Sequence, residues 1–131
     1  MKRDPRIVAQ KARHLRFHRM VQRVYDTLPS QVQDSLTNVA IVVQDEPTAR
    51  QRSALTGRNR DLLGLYQGVP MIERGSGNML IPDRITLFAG PLTRYTRNRY
   101  DLERQIRKTL LHEIGHHLGY DEAGVARLGL S

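Results

Sequence analysis

The segment LLHEIGHHLGYDE, residues 110–122, contains three of the five histidines in the chain. His112 and His116 are four residues apart, so on a helix their imidazoles lie on one face, one turn apart. Two such imidazoles can bind one ion at about 2.0–2.1 Å from each nitrogen. Glu113 lies about 100° around the helix from His112, where it can reach a water at the ion rather than the ion itself. The segment therefore predicts a metal site with His112 and His116 as ligands.

A catalytic zinc site needs a third protein ligand and one open position for water. The chain has no cysteine, so this ligand must be a histidine or a carboxylate. Gly119 can adopt positive φ and turn the chain after the helix. That turn can bring Asp121 or Glu122 back toward the histidines, and the spacing alone leaves both carboxylates as candidates.

These residue types predict a hydrolytic reaction. Zinc with such ligands lowers the pKa of its water to about 7 and polarises a carbonyl group. Glu113, as general base, takes the proton from the attacking water and passes it to the leaving amine. The expected reaction is zinc-dependent hydrolysis of a peptide bond, with a peptide or protein as substrate.

The other histidines are expected to have no part in the metal site. His117 points about 140° away from His112, which favours a buried, hydrogen-bonded side chain. His14 and His18 are also four residues apart, but arginines surround them and no carboxylate accompanies them, so they indicate a basic helix face. Tyr120 could stabilise an oxyanion, although a tyrosine at a helix end is more often a packing residue.

The hydrophobic pattern predicts the elements that position these residues. A helix is expected over 17–28, strands over 39–43, within 62–71 and over 84–88, and a turn at 73–78. The helix that carries His112 and His116, called the metal helix here, is expected from about Asn98 to Leu118, with Asn98 or Asp101 as its N-cap. A short helix is expected to follow from about Glu122. Residues 1–16 are expected to be a basic, loose tail or frayed helix start, and residues 17–131 one domain. The buried face of the metal helix is expected to comprise Leu102, Ile106, Leu110, Ile114 and Leu118.

Composition limits the class of protein. The chain has 131 residues, which suits one compact domain, and a formal net charge of +8. No apolar run is long enough to span a membrane, and the N-terminus lacks the apolar core of a secretory signal, so a cytoplasmic protein is expected. The excess of basic residues favours a solvated, charged surface, and the alternative interpretation is weak contact with nucleic acid. The oligomeric state does not follow from composition.

HEIGHHLGYDE resembles the H-E-x-x-H-x-x-G-x-x-D/E active-site helix of the small bacterial zincin-like metallopeptidases, distant relatives of the metzincins. NVAIVVQDEP, LLGLYQGVP and PDRITLFAGPL look like strand segments of that family in the same order, so the resemblance extends from about Phe17 onward. It implies a single α+β domain, in which a backing helix lies on a small mixed sheet beside the active-site helix and a short C-terminal helix. The family motif puts zinc on His112, His116 and Glu122 and makes Glu113 the general base. Asp121 stays an alternative third ligand, and LLGLYQG is expected to be the edge strand that binds an extended substrate.

Two alternatives differ in function. The motif H-x-x-x-H-x-x-G-Y-D-H of the bacterial rRNA-maturation endoribonucleases is similar, and the positive charge suits an RNA substrate. That motif does not require Glu113, and Glu122 stands where its third histidine is expected. The other alternative is a basic nucleic-acid-binding protein with a non-catalytic metal site. A structural zinc site usually has four protein ligands, and the sequence offers no good fourth.

Overall fold

A computed structural model describes residues 5–53, 62–68 and 83–119, with side chains from residue 12 onward. This part of the chain forms a single small α+β domain with five helices and a three-stranded mixed sheet. The helices are α1 (Pro5–Asp26), α2 (Ser30–Asp34), α3 (Ala49–Arg52), α4 (Ala89–Tyr95) and α5 (Arg99–His117). The strands are β1 (Val39–Gln44), β2 (Gly64–Gln67) and β3 (Asp83–Phe88). The α+β class expected from the sequence is therefore confirmed.

Strand β3 lies at the centre of the sheet, in the order β1-β3-β2. It pairs in parallel with β1, where Val39 lies opposite Asp83, and antiparallel with β2, where Gly64 lies opposite Leu87. The β-branched run 39–43 and the segment 84–88 each form a strand one residue longer than predicted. The glycine-containing segment LLGLYQG supplies the edge strand β2, as expected.

Helix α5 forms where its local signals predict it. The side chain of Asn98 accepts a hydrogen bond of 2.8 Å from the backbone N–H of Asp101, so Asn98 is the N-cap. The helix ends at His117, and Gly119 follows with a φ of 99°, a conformation that favours glycine. The start, the end and the glycine turn of this helix are thus confirmed.

The core lies between the sheet and the two long helices. Ile85 and Leu87 project from one face of β3, because alternate residues of a strand face the same side. Both side chains are fully buried. They pack against the apolar stripes of α1 and α5, while Leu102 and Leu118 lie at the margin of the core. The core members from these helices are Phe17, Met20, Val21, Val24, Ile106, Leu110 and Ile114. The expected buried face of α5 is confirmed at Ile106, Leu110 and Ile114, whereas Leu102 and Leu118 are only partly buried.

Helix α1 begins earlier than predicted. The sequence indicated a helix from Phe17, but α1 starts at Pro5, so the described part of the basic segment is helical. The error arose because the first turns have few apolar residues, and helical spacing is visible only where an apolar stripe exists. The domain boundary at residue 17 stays a prediction, and α1 continues across it.

Three short helices were not predicted. Helix α3 has a capping box, in which Thr48 and Gln51 bond each other's backbone N–H. Helix α4 follows β3 directly and contains Gly90 and Pro91. Proline is tolerated in a first helical turn, where the N–H has no partner within the helix. Helix α2 and these two have only four to seven residues, too few for a period to be recognised.

The turn expected at 73–78 and the short helix expected from Glu122 lie outside the described residues. None of the described helices combines the length and the apolar character needed to span a bilayer.

Candidate metal centre

His112 and His116 face each other on the half-buried side of α5. Their Nε2 atoms are 3.2 Å apart, and their ring planes are inclined by 75°. In a tetrahedral site with Zn–N bonds of about 2.0–2.1 Å, two ligand nitrogens lie about 3.3 Å apart. The observed separation therefore fits two imidazoles that share one zinc ion.

Glu113 lies beside this pair and is buried, with 8% of its surface exposed. Its Oε1 accepts a hydrogen bond of 2.9 Å from the backbone N–H of Tyr66, and its Oε2 lies 4.0 Å from His112 Nε2. Within the described residues, His112, Glu113 and His116 form a group whose possible ligand atoms all lie within 4.8 Å of one another. The described geometry thus brings together the two expected ligands and the expected general base.

Strand β2 can hold Glu113 because of its register on β3. The backbone N–H of Phe88 donates to the carbonyl of Leu63, so the backbone groups of every second residue from Leu63, namely Leu65 and Gln67, point toward β3. The backbone groups of the residues between them, Gly64 and Tyr66, point away from β3. The Tyr66 N–H meets Glu113 on that side.

Gly64 allows β2 to lie close to α5. A Cβ atom at this position would lie 2.7 Å from the Thr109 methyl group and 3.4 Å from Cγ of Glu113. The first distance is shorter than real Cβ contacts, so any larger residue would force the strand and the helix apart.

His117 is buried and hydrogen-bonded at both ring nitrogens, as predicted. Nε2 lies 3.0 Å from the carbonyl of Ser35, and Nδ1 lies 2.9 Å from Oδ2 of Asp83, which is also buried. The hydroxyl of Tyr66 donates to the same Oδ2 at 2.7 Å. Because the Ser35 carbonyl can only accept, Nε2 is the donor in that hydrogen bond, and Nδ1 bonds the Asp83 carboxylate. This network ties the end of α5 to β2, β3 and the turn after α2.

Sequence reasoning missed two hydrogen bonds of Tyr66, those to Glu113 and Asp83. This residue is 47 positions from Glu113 and 17 from Asp83, and neither separation leaves a local signal. Asp83 was missed for the same reason, since it lies 34 positions from His117.

The remaining candidate residues fall into two groups. Glu122, Asp121 and Tyr120 lie outside the described residues. His14 and His18 are on α1, and within the described chain neither belongs to a possible metal-binding group.

Comparison with known proteins assigns this chain to a family. The family model for zincin-like metallopeptidases matches residues 36–130. The chain belongs to the zincin-like metallopeptidase family. Membership implies a metal, typically zinc, and the His112–Glu113–His116 group could bind one. No curated protein matches the sequence significantly.

A solved structure supports the fold of this family member. The chain is similar to a conserved hypothetical protein from Thermo thermophilus, with a TM-score of 0.52 and 24% sequence identity. The match covers 85% of this chain and 95% of the other. The likeness concerns the fold alone.

Proposed function

We propose that this protein is a zinc-dependent metallopeptidase that hydrolyses peptide bonds with Glu113 as its general base. One observation carries the proposal: the two Nε2 atoms are 3.2 Å apart, and a buried carboxylate lies beside them on the same helix. Two histidines spaced for zinc and an adjacent buried acid match two ligands and the general base of such a site, and the third ligand is expected after Gly119. Family membership supports the same class of hydrolase.

His112, His116 and Glu122 would hold the ion. The histidines would bind through Nε2, and Glu122 follows from the family motif, with Asp121 as the alternative. A bound zinc ion would polarise the substrate carbonyl and make water more acidic. The donor set of two imidazoles and one carboxylate suits zinc, which binds nitrogen and oxygen ligands and keeps one position open in catalytic sites.

Glu113 would move the proton. Its Oε1 is held by the Tyr66 N–H, which directs the carboxylate so that Oε2 faces the histidine pair. Oε2 accepts a proton from the attacking water as the new C–O bond forms. The same proton then passes to the leaving nitrogen as the C–N bond breaks, so Glu113 ends the cycle ionised.

An extended substrate would lie along the outer edge of β2. The backbone groups of Gly64 and Tyr66 point away from β3, toward the side where Glu113 lies. A peptide that adds to a sheet edge uses such backbone groups for hydrogen bonds, and this would bring its scissile carbonyl beside the metal helix. Because the Tyr66 N–H is already bonded to Glu113, the peptide would use the backbone groups of Gly64 and the carbonyl of Tyr66.

The decisive experiment compares Glu113→Gln with a matched control, Glu103→Gln. Glu103 is also on α5 but is partly exposed and pairs with Arg23. Zinc content is measured by elemental analysis, and turnover is measured on casein and on a quenched-fluorescent peptide library. We expect one zinc per chain in all three proteins, and a loss of turnover of about 10²–10⁴-fold in Glu113→Gln alone. A Glu113→Gln enzyme that cleaves peptides at the parental rate contradicts the mechanism.

Two further arms test the third ligand and the reaction class. Glu122→Gln should weaken zinc binding by about 100-fold or more, since loss of a direct ligand should exceed the 10–100-fold cost of losing an outer-shell partner. Asp121→Asn should leave the affinity near the parental value, and the reverse order would assign the ligand to Asp121. Hydrolysis of structured RNA without hydrolysis of casein or peptides would replace the peptidase by the endoribonuclease hypothesis.

A further inference from the structure

The start of α5 carries a basic and aromatic surface that the peptidase mechanism does not use. The segment RYTRNRYDLER, residues 94–104, contains four arginines and two tyrosines. Tyr95 and Tyr100 are 67% and 73% exposed, and they are two of the three exposed large apolar side chains in the described part of the chain. Tyrosine is favoured at binding surfaces because its ring offers a large contact area and its hydroxyl tolerates water.

These side chains line one cleft. Tyr95, Arg97, Asn98, Tyr100, Asp101 and Arg104 surround an open volume of about 410 Å³. We call this the tyrosine–arginine cleft. It lies about 18 Å along the helix from His112, at a rise of about 1.5 Å per residue over the intervening turns from Tyr100. It is therefore separate from the candidate metal centre.

The loop that forms the cleft is held by its own hydrogen bonds. Oδ2 of Asp101 accepts from the backbone N–H of Arg97 at 3.1 Å, and Asn98 caps the N–H of Asp101. The one carboxylate of the cleft is thus engaged with the backbone of the loop. Arg97 lies in this turn, whereas Tyr95 is the last residue of α4. Tyr100 and Arg104 are in α5, so a ligand need not order the backbone that carries these side chains when it binds.

The charge of the surface is positive. Arg94 forms a salt bridge with Glu46, and Glu103 forms one with Arg23. The charges of Arg94 and Glu103 are therefore balanced by residues outside the segment. Arg97, Arg99 and Arg104 are exposed, and Asp101 is the remaining acid of the segment. The whole chain has a formal net charge of +8, which attracts polyanions over a longer range.

We propose that the tyrosine–arginine cleft binds single-stranded nucleic acid, with bases stacked on Tyr95 and Tyr100 and phosphates bound by Arg97 and Arg104. Exposed aromatic rings between arginines suit this ligand because unpaired bases present their faces for stacking, whereas paired bases in a duplex do not. An acidic protein segment would use the arginines but would gain little from two exposed rings. The proposal is independent of zinc and of peptide hydrolysis.

The test measures the fluorescence anisotropy of labelled 12-nucleotide single-stranded RNA and DNA, and of the matching duplexes, with the purified full chain. We expect at least one single strand to bind more tightly than its duplex. Tyr100→Ala should weaken that binding by about tenfold, as expected for loss of one stacked base. Tyr100→Phe keeps the ring and should retain the affinity within about twofold. The RNA and DNA arms identify which sugar is preferred.

The arginine contribution is tested with a matched control. Arg104→Gln should reduce the slope of log affinity against log salt by about 0.7, the value for one phosphate contact on a single strand. Arg84→Gln removes the same charge from an exposed position on β3, beside Asp83 at the other end of α5, and should leave the slope unchanged. Equal binding of single strands and duplexes, with no effect of Tyr100→Ala, overturns the proposal in favour of unspecific charge attraction. Displacement of the bound strand by polyglutamate, again with Tyr100→Ala unchanged, assigns the surface to acidic proteins instead.

Discussion

At the scale of single residues, Tyr66 links the candidate metal centre to the buried network beneath it. Its backbone N–H holds one oxygen of Glu113, and its hydroxyl donates to Asp83, which also contacts His117. A carboxylate that accepts hydrogen bonds from fixed donors has a defined orientation, which a general base requires. The buried Asp83 and the partly buried Tyr66 therefore hold the C-terminal turn of α5 in place.

Removal of His117 should be among the most destabilising changes in this region. His117→Leu leaves the Asp83 carboxylate buried with the Tyr66 hydroxyl as its remaining partner in this network, and loss of one partner of a buried pair costs about 3–5 kcal/mol. Tyr66→Phe removes a hydrogen bond to a carboxylate and should cost about 1.5–3 kcal/mol. Urea unfolding of the zinc-free proteins measures both values.

The double variant Asp83→Asn/His117→Leu provides the control for the His117 prediction. Its destabilisation should be smaller than the sum of the two single changes, because the asparagine leaves no charge behind. Strict additivity, or a His117→Leu variant as stable as the parent, would show that Asp83 and His117 do not act as a pair.

At the scale of elements, the distance between β2 and α5 decides the geometry of the site. Gly64 lets the strand lie on Thr109 and Glu113, and the antiparallel register with β3 turns the Tyr66 N–H toward the helix. A slip of one residue would turn that N–H into the β3 ladder and leave Glu113 without this donor. The sheet therefore orients the Glu113 carboxylate as well as supporting the core.

Gly64→Ala should push β2 away from α5. Overpacking of this kind costs about 1–3 kcal/mol of unfolding free energy, since the new methyl group would overlap the Thr109 side chain. Peptidase turnover should fall, because the Tyr66–Glu113 hydrogen bond lengthens, whereas zinc affinity should stay near the parental value. The double change Gly64→Ala/Thr109→Ser removes the overlapping methyl group and should recover part of both losses. An alanine variant with parental stability and turnover would mean that the contact between strand and helix is loose.

The pair between Glu46 and Arg94 joins the end of β1 to α4 and should make stability depend on pH. The hydrogen bond from Arg94, helped by its charge, lowers the pKa of Glu46 below its usual value, against a small opposing effect of burial. A carboxyl group with a lowered pKa in the folded state contributes stability above its unfolded pKa, and the contribution disappears as the pH falls through the folded pKa. The difference in unfolding free energy between the parent and Glu46→Gln should therefore be present at neutral pH, shrink on acidification and fall with added salt. A difference that grows as the pH falls would contradict this assignment.

At the scale of the whole molecule, zinc binding should be coupled to stability. The two histidines lie on one helix, and the third ligand is expected beyond Gly119, so an ion would connect α5 to the chain that follows it. A ligand that binds only the folded state at about 100 times its dissociation constant stabilises that state by about 2.7 kcal/mol. Thermal unfolding should therefore shift upward by several degrees with zinc and return with EDTA.

His112→Ala should abolish this zinc-dependent shift, while His18→Ala, which removes an exposed histidine from α1, should retain it. A shift of equal size in the His112→Ala variant would mean that zinc stabilises the protein from another site.

Much of α5 could be predicted because its determinants are local. The cap at Asn98, the apolar stripe through Ile106 and Leu110, and the glycine turn at Gly119 all act within a few residues along the chain. Helix α1 was predicted only where it has an apolar stripe, and α2, α3 and α4 were missed because they are too short to show one. The strands were located by their apolar runs.

The sequence by itself determined that His112 and His116 share one helix face, because residues four positions apart in an α-helix lie about one turn apart on the same side. It also determined that His117 points away from them, since the angle between residues on a helix is constant. Only the tertiary structure decided that Glu113 bonds the Tyr66 N–H and that His117 meets Asp83 and Ser35. Those contacts join residues 34–82 positions apart, and they depend on strand register and on the space left by Gly64, which no local spacing encodes.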